Sequence, residues 1–278
     1  MRRAVEDAFP RPSVMGVVNV TPDSFSDGGA HLDRDAAIAR ALELVREGAA
    51  LVDVGGESTR PGSTGVSLDE ELRRVVPVLE QLDGIPVSID TSKAEVARRA
   101  LALGAVMVND VTALRADGDL AGVVADAGAY LCLMHMHGEP GTMQDDPRYE
   151  DVVSEVAAFL EERLAAAVKA GIREENVCLD PGIGFGKTSE HNLELVARLD
   201  ELVALGRPVV LGASRKRFLG RILGDRDALT GPATAGIAVA ILAYQRGASL
   251  FRVHDVRVHV EALAAVRAVE EVDRSRTS

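Results

Sequence analysis

A single (β/α)₈ barrel is the fold class this sequence predicts, on three observations. Short apolar or β-branched runs alternate eight times with longer Ala/Leu/Glu/Arg-rich segments of helical period. The runs are apolar at nearly every position, as strands buried on both faces of a parallel sheet are. Gly and Pro cluster just after several of them, at Gly28 and Gly29, Gly55 and Gly56, Pro61 and Gly62, and through 181–186, and loops at that end carry function in such barrels.

In chain order the strand runs are 14–20 (VMGVVNV), 51–54 (LVDV), 87–90 (VSID), 107–111 (MVNDV), 130–134 (YLCLM), 177–180 (VCLD), 209–213 (VVLGA) and 250–253 (LFRV). Helical periodicity is clearest at 34–47, 69–82, 93–103, 149–170, 193–205 and 256–270. The expected organisation is an N-terminal extension over 1–12, the barrel over 13–272 and a frayed tail, DRSRTS, over 273–278. A length of 278 residues suits one such barrel, since these reach about 250 residues as one unit.

With 47% hydrophobic and 27% charged residues the chain has apolar material for a core and none of the bias of a disordered segment. A net charge of -12 repels nucleic-acid phosphates, so no nucleic-acid partner is expected. An anionic substrate must instead be met by locally placed Arg, Lys or backbone amides. Cys132 and Cys178 sit in apolar runs and read as buried thiols. No stretch approaches the roughly 20 apolar residues of a membrane span and the polar start lacks a signal-peptide apolar region, so no membrane partner and a cytoplasmic location are expected.

Polar residues recur where the strands end: Asn19, Asp53, Asp90, Asn109, His135, Asp180, Ser214 and His254. One such residue is ordinarily a helix cap or turn former. Eight on one rim could instead grip the edge of a heterocycle bearing N–H donors and ring acceptors. SRKR at 214–217 precedes an expected helix, and Arg252 and His254, two apart on a strand, project to the same side; both features suit a phosphorylated ligand.

GFGKT at 184–188 is not a P-loop, because that pattern needs a glycine where Pro181 stands. His135 and His137 have metal-ligand spacing, but no further cluster of zinc-site spacing accompanies them, which favours a structural or substrate-facing role.

The segments NVTPDSFSDGG, DVGGESTRPG, SIDTSK, DPGIGFGKT, GASRKRF and RVHDV, in that order, resemble the dihydropteroate synthase family over essentially the span 15–260. The resemblance implies a (β/α)₈ barrel that joins 4-aminobenzoate to 6-hydroxymethyl-7,8-dihydropterin pyrophosphate, releasing pyrophosphate in an SN1-like displacement. It implies that Asp90, Asn109, Asp180 and Lys216 hold the pterin ring, with Val111, Met134 and Phe185 as apolar walls and Asp53 nearby. It further implies that Asn19 ligates Mg²⁺, that Arg252 and His254 clamp the pyrophosphate, and that Phe25, Thr59, Arg60 and Pro61 sit on two mobile loops completing the aminobenzoate site. Asp90, Asp180, Lys216, Arg252 and His254 are thus the expected catalytic set. Arg217 stands where the family often has Ser facing the aminobenzoate carboxylate, which Arg can meet bidentately. Phe25, on the 21–27 loop, is expected to act as a lid. The resemblance also implies a homodimer.

Three rivals remain on sequence grounds. A pterin-binding methyltransferase module shares the barrel and the strand-end Asp and Asn residues but does not need both long loop motifs. A non-catalytic paralogue would have lost part of the anion clamp or the loops. A metal-dependent hydrolase would use His135 and His137.

Overall fold

The computed structural model describes residues 2–20, 29–59, 63, 65–138 and 141–277. Eight parallel strands, β1 (Ser13–Asn19), β2 (Leu51–Gly55), β3 (Val87–Asp90), β4 (Met107–Asp110), β5 (Tyr130–Met134), β6 (Val177–Asp180), β7 (Val210–Leu211) and β8 (Leu250–Val253), run in the order β6-β5-β4-β3-β2-β1-β8-β7. A single parallel bridge, Leu179 to Val209, and the Leu179 N–H donated to the Pro208 carbonyl join β6 to β7 and close the barrel. The expected (β/α)₈ architecture is the one observed.

Strands β2 to β6 are buried at every position, which accounts for their continuous apolar runs. Alternate residues face inward and climb the barrel as layers. The lower layer is apolar: Met15, Leu51, Met107, Tyr130, Cys132, Cys178, Val210 and Leu250 form one buried cluster. Two residues further up three of the same strands stand Val17, Asp53 and Arg252, and Asn109, Met134, Asp180 and Gly212 follow on their own strands. The inside therefore changes from apolar to polar about half-way, and the polar half is where the site lies.

The helices pack their apolar faces on the outside of the strands around a second, larger cluster. They are α2 (Gly29–Arg46), α3 (Leu68–Leu79), α4 (Ala94–Ala102), α5 (Leu120–Ala127), α6 (Val152–Lys169), α7 (Ser189–Ala197), α8 (Leu199–Val203), α9 (Arg217–Ile222), α10 (Ala233–Gln245) and α11 (Val256–Thr277). Side-chain caps set several starts: Ser67 accepts from the Glu70 N–H before α3, Asp151 from Val153 and Ser154 before α6, and Thr188 forms a capping box with His191 before α7.

Both chain ends carry helices. Within the N-terminal extension, α1 (Val5–Ala8) lays Val5 and Phe9 against the lower cluster, with Phe9 edge-on to Tyr130 at 5.6 Å. Helix α11 continues to Thr277, through residues expected to fray. The expected strand over 209–213 shrinks to two residues, preceded by Pro208, which cannot donate to a ladder, and followed by Gly212, which faces the Arg252 and Asp180 side chains.

Candidate active site

At the C-terminal ends of the strands lies a cavity of about 530 Å³, within the range of small-molecule sites. Its lining includes Asn19, Thr59, Asp90, Phe185, Ser214, Lys216, Arg217, Arg252 and His254 among the expected residues. Phe25, Arg60 and Pro61, with the expected lid over 21–27, lie outside the described residues.

Arg252 organises the floor. Its Nε donates to Asp53 Oδ2 at 2.6 Å and its Nη2 to Asp90 Oδ2 at 2.7 Å. Asn109 Nδ2 donates to the same Asp53 oxygen at 3.1 Å, while Asp53 Oδ1, fully buried, has no hydrogen-bond partner among the described residues. Four strands, β2, β3, β4 and β8, are thereby tied together, and two buried carboxylates share one guanidinium. Burial pushes the Asp90 carboxyl upward, with Arg252 opposing and Asp53 adding to the rise. The Arg252 guanidinium is raised in turn: burial works against its charge, and Asp53 and Asp90 outweigh it.

Asp180 accepts the Gly182 N–H at 2.7 Å. Burial raises its carboxyl, against the pull of that N–H and of Lys216, Arg252 and Lys187. Lys216 Nζ stands 4.0 Å from the Phe185 ring centroid, a cation–π contact at the cavity wall. Val111 and Met134 join Met136 and Met143 in a small apolar cluster against which Phe185 packs, so the three expected wall residues do meet.

His254, expected in the pyrophosphate clamp, lines the cavity. Its Nδ1 lies 3.2 Å from Ser214 Oγ, and burial, with Arg252, Arg215 and Lys216 nearby, holds the ring down to about 3. It is therefore a neutral hydrogen-bonding group in the ligand-free pocket. His135 turns aside from the rim: its Nδ1 is 2.8 Å from Lys187 Nζ, and burial with Lys187 beside it lowers the ring to about 2. A metal ion using that nitrogen would have to displace the lysine. No group of three or more His, Cys, Asp or Glu residues suited to a metal ion occurs among the described residues.

Sequence reasoning missed Glu57, Met143, Gln144 and Lys187, all of which line the cavity. Glu57 adjoins Thr59 in a motif already singled out, and the loop itself was the available signal. Lys187 was considered only as a P-loop lysine and set aside with that pattern; its burial is a tertiary property with no local signature.

The sequence profile of the family described as "Pterin binding enzyme" matches residues 15–254. A dihydropteroate synthase of Escherichia coli (strain K12) is 46% identical over 262 residues, covering 92% of this chain and 91% of that protein. The chain belongs to the dihydropteroate synthase family. Family structures from Xanthomonas albilineans superpose closely: one with 4-aminobenzoic acid has a TM-score of 0.86 at 50% identity, covering 94% of each chain. Another, in complex with 7,8-dihydropteroate, has a TM-score of 0.83 at 47% identity, covering 94% of each.

Proposed function

We propose that this chain joins 4-aminobenzoate to 6-hydroxymethyl-7,8-dihydropterin pyrophosphate, giving 7,8-dihydropteroate and pyrophosphate. The observation that carries this reading is one cavity in which Asp90 and Arg252, backed by the buried Asp53 and Asn109, meet a wall holding Lys216, Arg217 and His254. A heterocycle with several N–H donors suits the first part and an anionic tail the second.

In this reading Asp90, Asn109, Asp180 and Lys216 hold the pterin, with Asp53 beneath and Val111, Met134 and Phe185 as walls. Arg252 and the His254 N–H groups meet the pyrophosphate, and an arriving anion favours protonation of His254. Thr59, Phe185 and Arg217, with Phe25, Arg60 and Pro61, complete the aminobenzoate side.

The Asn19 side chain faces the cavity and hydrogen-bonds to no group among the described residues. A neutral carbonyl oxygen beside an anionic tail fits Mg²⁺, which is commonly held by few protein oxygens plus substrate phosphates and water. Bound there, Mg²⁺ would supply positive charge to the pyrophosphate oxygens.

Arg252 lowers the barrier by meeting charge that develops on the departing pyrophosphate. The pterin methylene left behind is carbocation-like, and Asp180, whose carboxyl burial raises against the pull of the Gly182 N–H and three cations, eases its electron demand when ionised. The aromatic amine attacks as a neutral nucleophile, so no general base is required. A homodimer and a cytoplasmic location belong to this reading; the described helices include none long and apolar enough to cross a membrane.

The test is to incubate the protein with the pterin pyrophosphate, Mg²⁺ and 4-aminobenzoate. Pyrophosphate and dihydropteroate should appear in equal amounts. Binding of pterin without turnover would support the non-catalytic paralogue and sink the synthase reading.

A further inference from the structure

The stretch Gly184–Phe185–Gly186, which carries the aromatic wall of the cavity, has each of its three carbonyls taken by a side chain, two of them distant in sequence and one from the next residue, Lys187. Gln144 Nε2 donates to the Gly184 carbonyl at 2.7 Å, Lys187 Nζ to the Phe185 carbonyl at 3.0 Å, and the Tyr149 hydroxyl to the Gly186 carbonyl at 2.8 Å. The Gly184 N–H is taken as well, by Asn192 Oδ1 at 2.7 Å. Protein partners on all three carbonyls are unusual in a loop, where water normally serves these groups.

Lys187 differs from the other three holders. It is 3% exposed, and its Nζ reaches His135 Nδ1 at 2.8 Å as well as the Phe185 carbonyl. His135 is itself fixed by an edge-on contact with Phe159, 4.8 Å between centroids. The lysine thus links the backbone of the wall residue to a ring anchored in the body of the barrel. On the other side of Phe185 stands Lys216, at 4.0 Å from the ring. A shift of the Phe185 backbone would move the ring out of register with Lys216 and with the cavity it borders.

We propose that Lys187 is a positioning residue for the coupling reaction, seating Phe185 as a rigid aromatic wall by tying its carbonyl to His135. Burying a lysine in a cavity wall is costly unless its donors are used. Two of them are used here on two fixed acceptors, and the return is a ring held at one place before any substrate arrives. Lys187 touches neither reacting group in this assignment. The kinetic arm of the test rests on the proposed coupling activity; the spectroscopic arm does not.

The chain contains no tryptophan, so Phe185→Trp installs a single indole at the wall, excited apart from the three tyrosines. In that background the indole should show high steady-state anisotropy, and adding Lys187→Met should lower it and shift the emission maximum. In the otherwise unaltered protein, Lys187→Met should raise the KM for 4-aminobenzoate about tenfold, as expected for losing two buried hydrogen bonds, with a smaller change in kcat. A lysine that merely supports the fold would instead lower the amount of active protein, seen as reduced kcat at unchanged KM. Should Lys187→Met fail to fold, Lys187→Gln, polar but one bond shorter, carries the same two measurements. Unchanged anisotropy and emission in a folded double variant would overturn the proposal whatever the activity. If the parent protein shows no coupling at all, the fluorescence comparison alone decides.

Discussion

His254 and His135 are neutral when folded, and this sets how the protein answers acid. Burial lowers both rings from 6.5, with the neighbouring cations adding to it, to about 3 for His254 and about 2 for His135. As pH falls below about 6.5 the unfolded chain takes up these protons before the folded one does. The stability contributed by each buried neutral ring is therefore complete above that value and is lost progressively toward pH 3. Asp90 acts in the opposite sense: raised by burial, it keeps a proton when folded that the unfolded chain releases, so its contribution is lost as pH rises through its folded value. His259, lowered by burial, acts with the two histidines, while Asp110 and Asp180, raised by burial, act with Asp90. Removing one ring isolates its share: His254→Gln should lose less melting temperature between pH 6.5 and 4.5 than the parent does. A slope identical to the parent's would place the acid sensitivity elsewhere. None of this was legible in the sequence: SRKR and RVHD announced an anion site, but the burial that leaves His254 uncharged comes from the way β7 and β8 bring Ser214, Arg252 and Lys216 around it. The same holds for Arg252, whose partners Asp53 and Asp90 lie 199 and 162 positions away.

Among the elements, the loop after β6 is the most tightly specified. Gly182 has φ +67°, and a Cβ built there would come 1.8 Å from the His135 carbonyl oxygen; at Gly186, φ +63°, it would meet His137 at 2.7 Å. These two glycines let the loop lie backbone-to-backbone on the segment after β5, which brings Lys187 to His135. Gly206, before β7, also has a positive φ of +80° but nothing within 4 Å. Gly206→Ala should cost only the conformational penalty, about 1 kcal/mol, whereas Gly182→Ala must displace backbone and should cost several times more. Urea melts of the two variants check this, and equal losses would mean the loop yields easily. The strands were readable because burial on both faces writes itself as an apolar run. Helix α10 was not, because ATAGIAVAILAYQ is apolar almost throughout and shows no polar face to betray its period. Helix α5, with eight residues, is too short for a periodicity to stand out.

At the scale of the whole molecule, the barrel separates its duties along its axis: α1 and the apolar layer close one end, and the polar layer opens into the cavity at the other. The fold class, the rim and part of the cavity lining could be read from strand-end residues, since in a parallel barrel every strand finishes at the same end. What could not be read was the closure. Seven neighbouring strand pairs are joined by paired registers of two to five residues, while β6 and β7 share one bridge. That seam runs straight up into the site, for Asp180 ends one of its strands and Ser214 and Lys216 follow the other. A ligand gripped by Asp180 on one side and Lys216 on the other would act as a stitch across the weakest line of the barrel, adding to the cylinder the fastening its backbone lacks. Amide hydrogen exchange at 209–211 should then be faster than in β1 to β5 in the free protein and should slow markedly on adding a pterin. Exchange there that ignores the ligand would show the seam already closed by the side chains behind it. Substrate, on this view, completes the container that holds it.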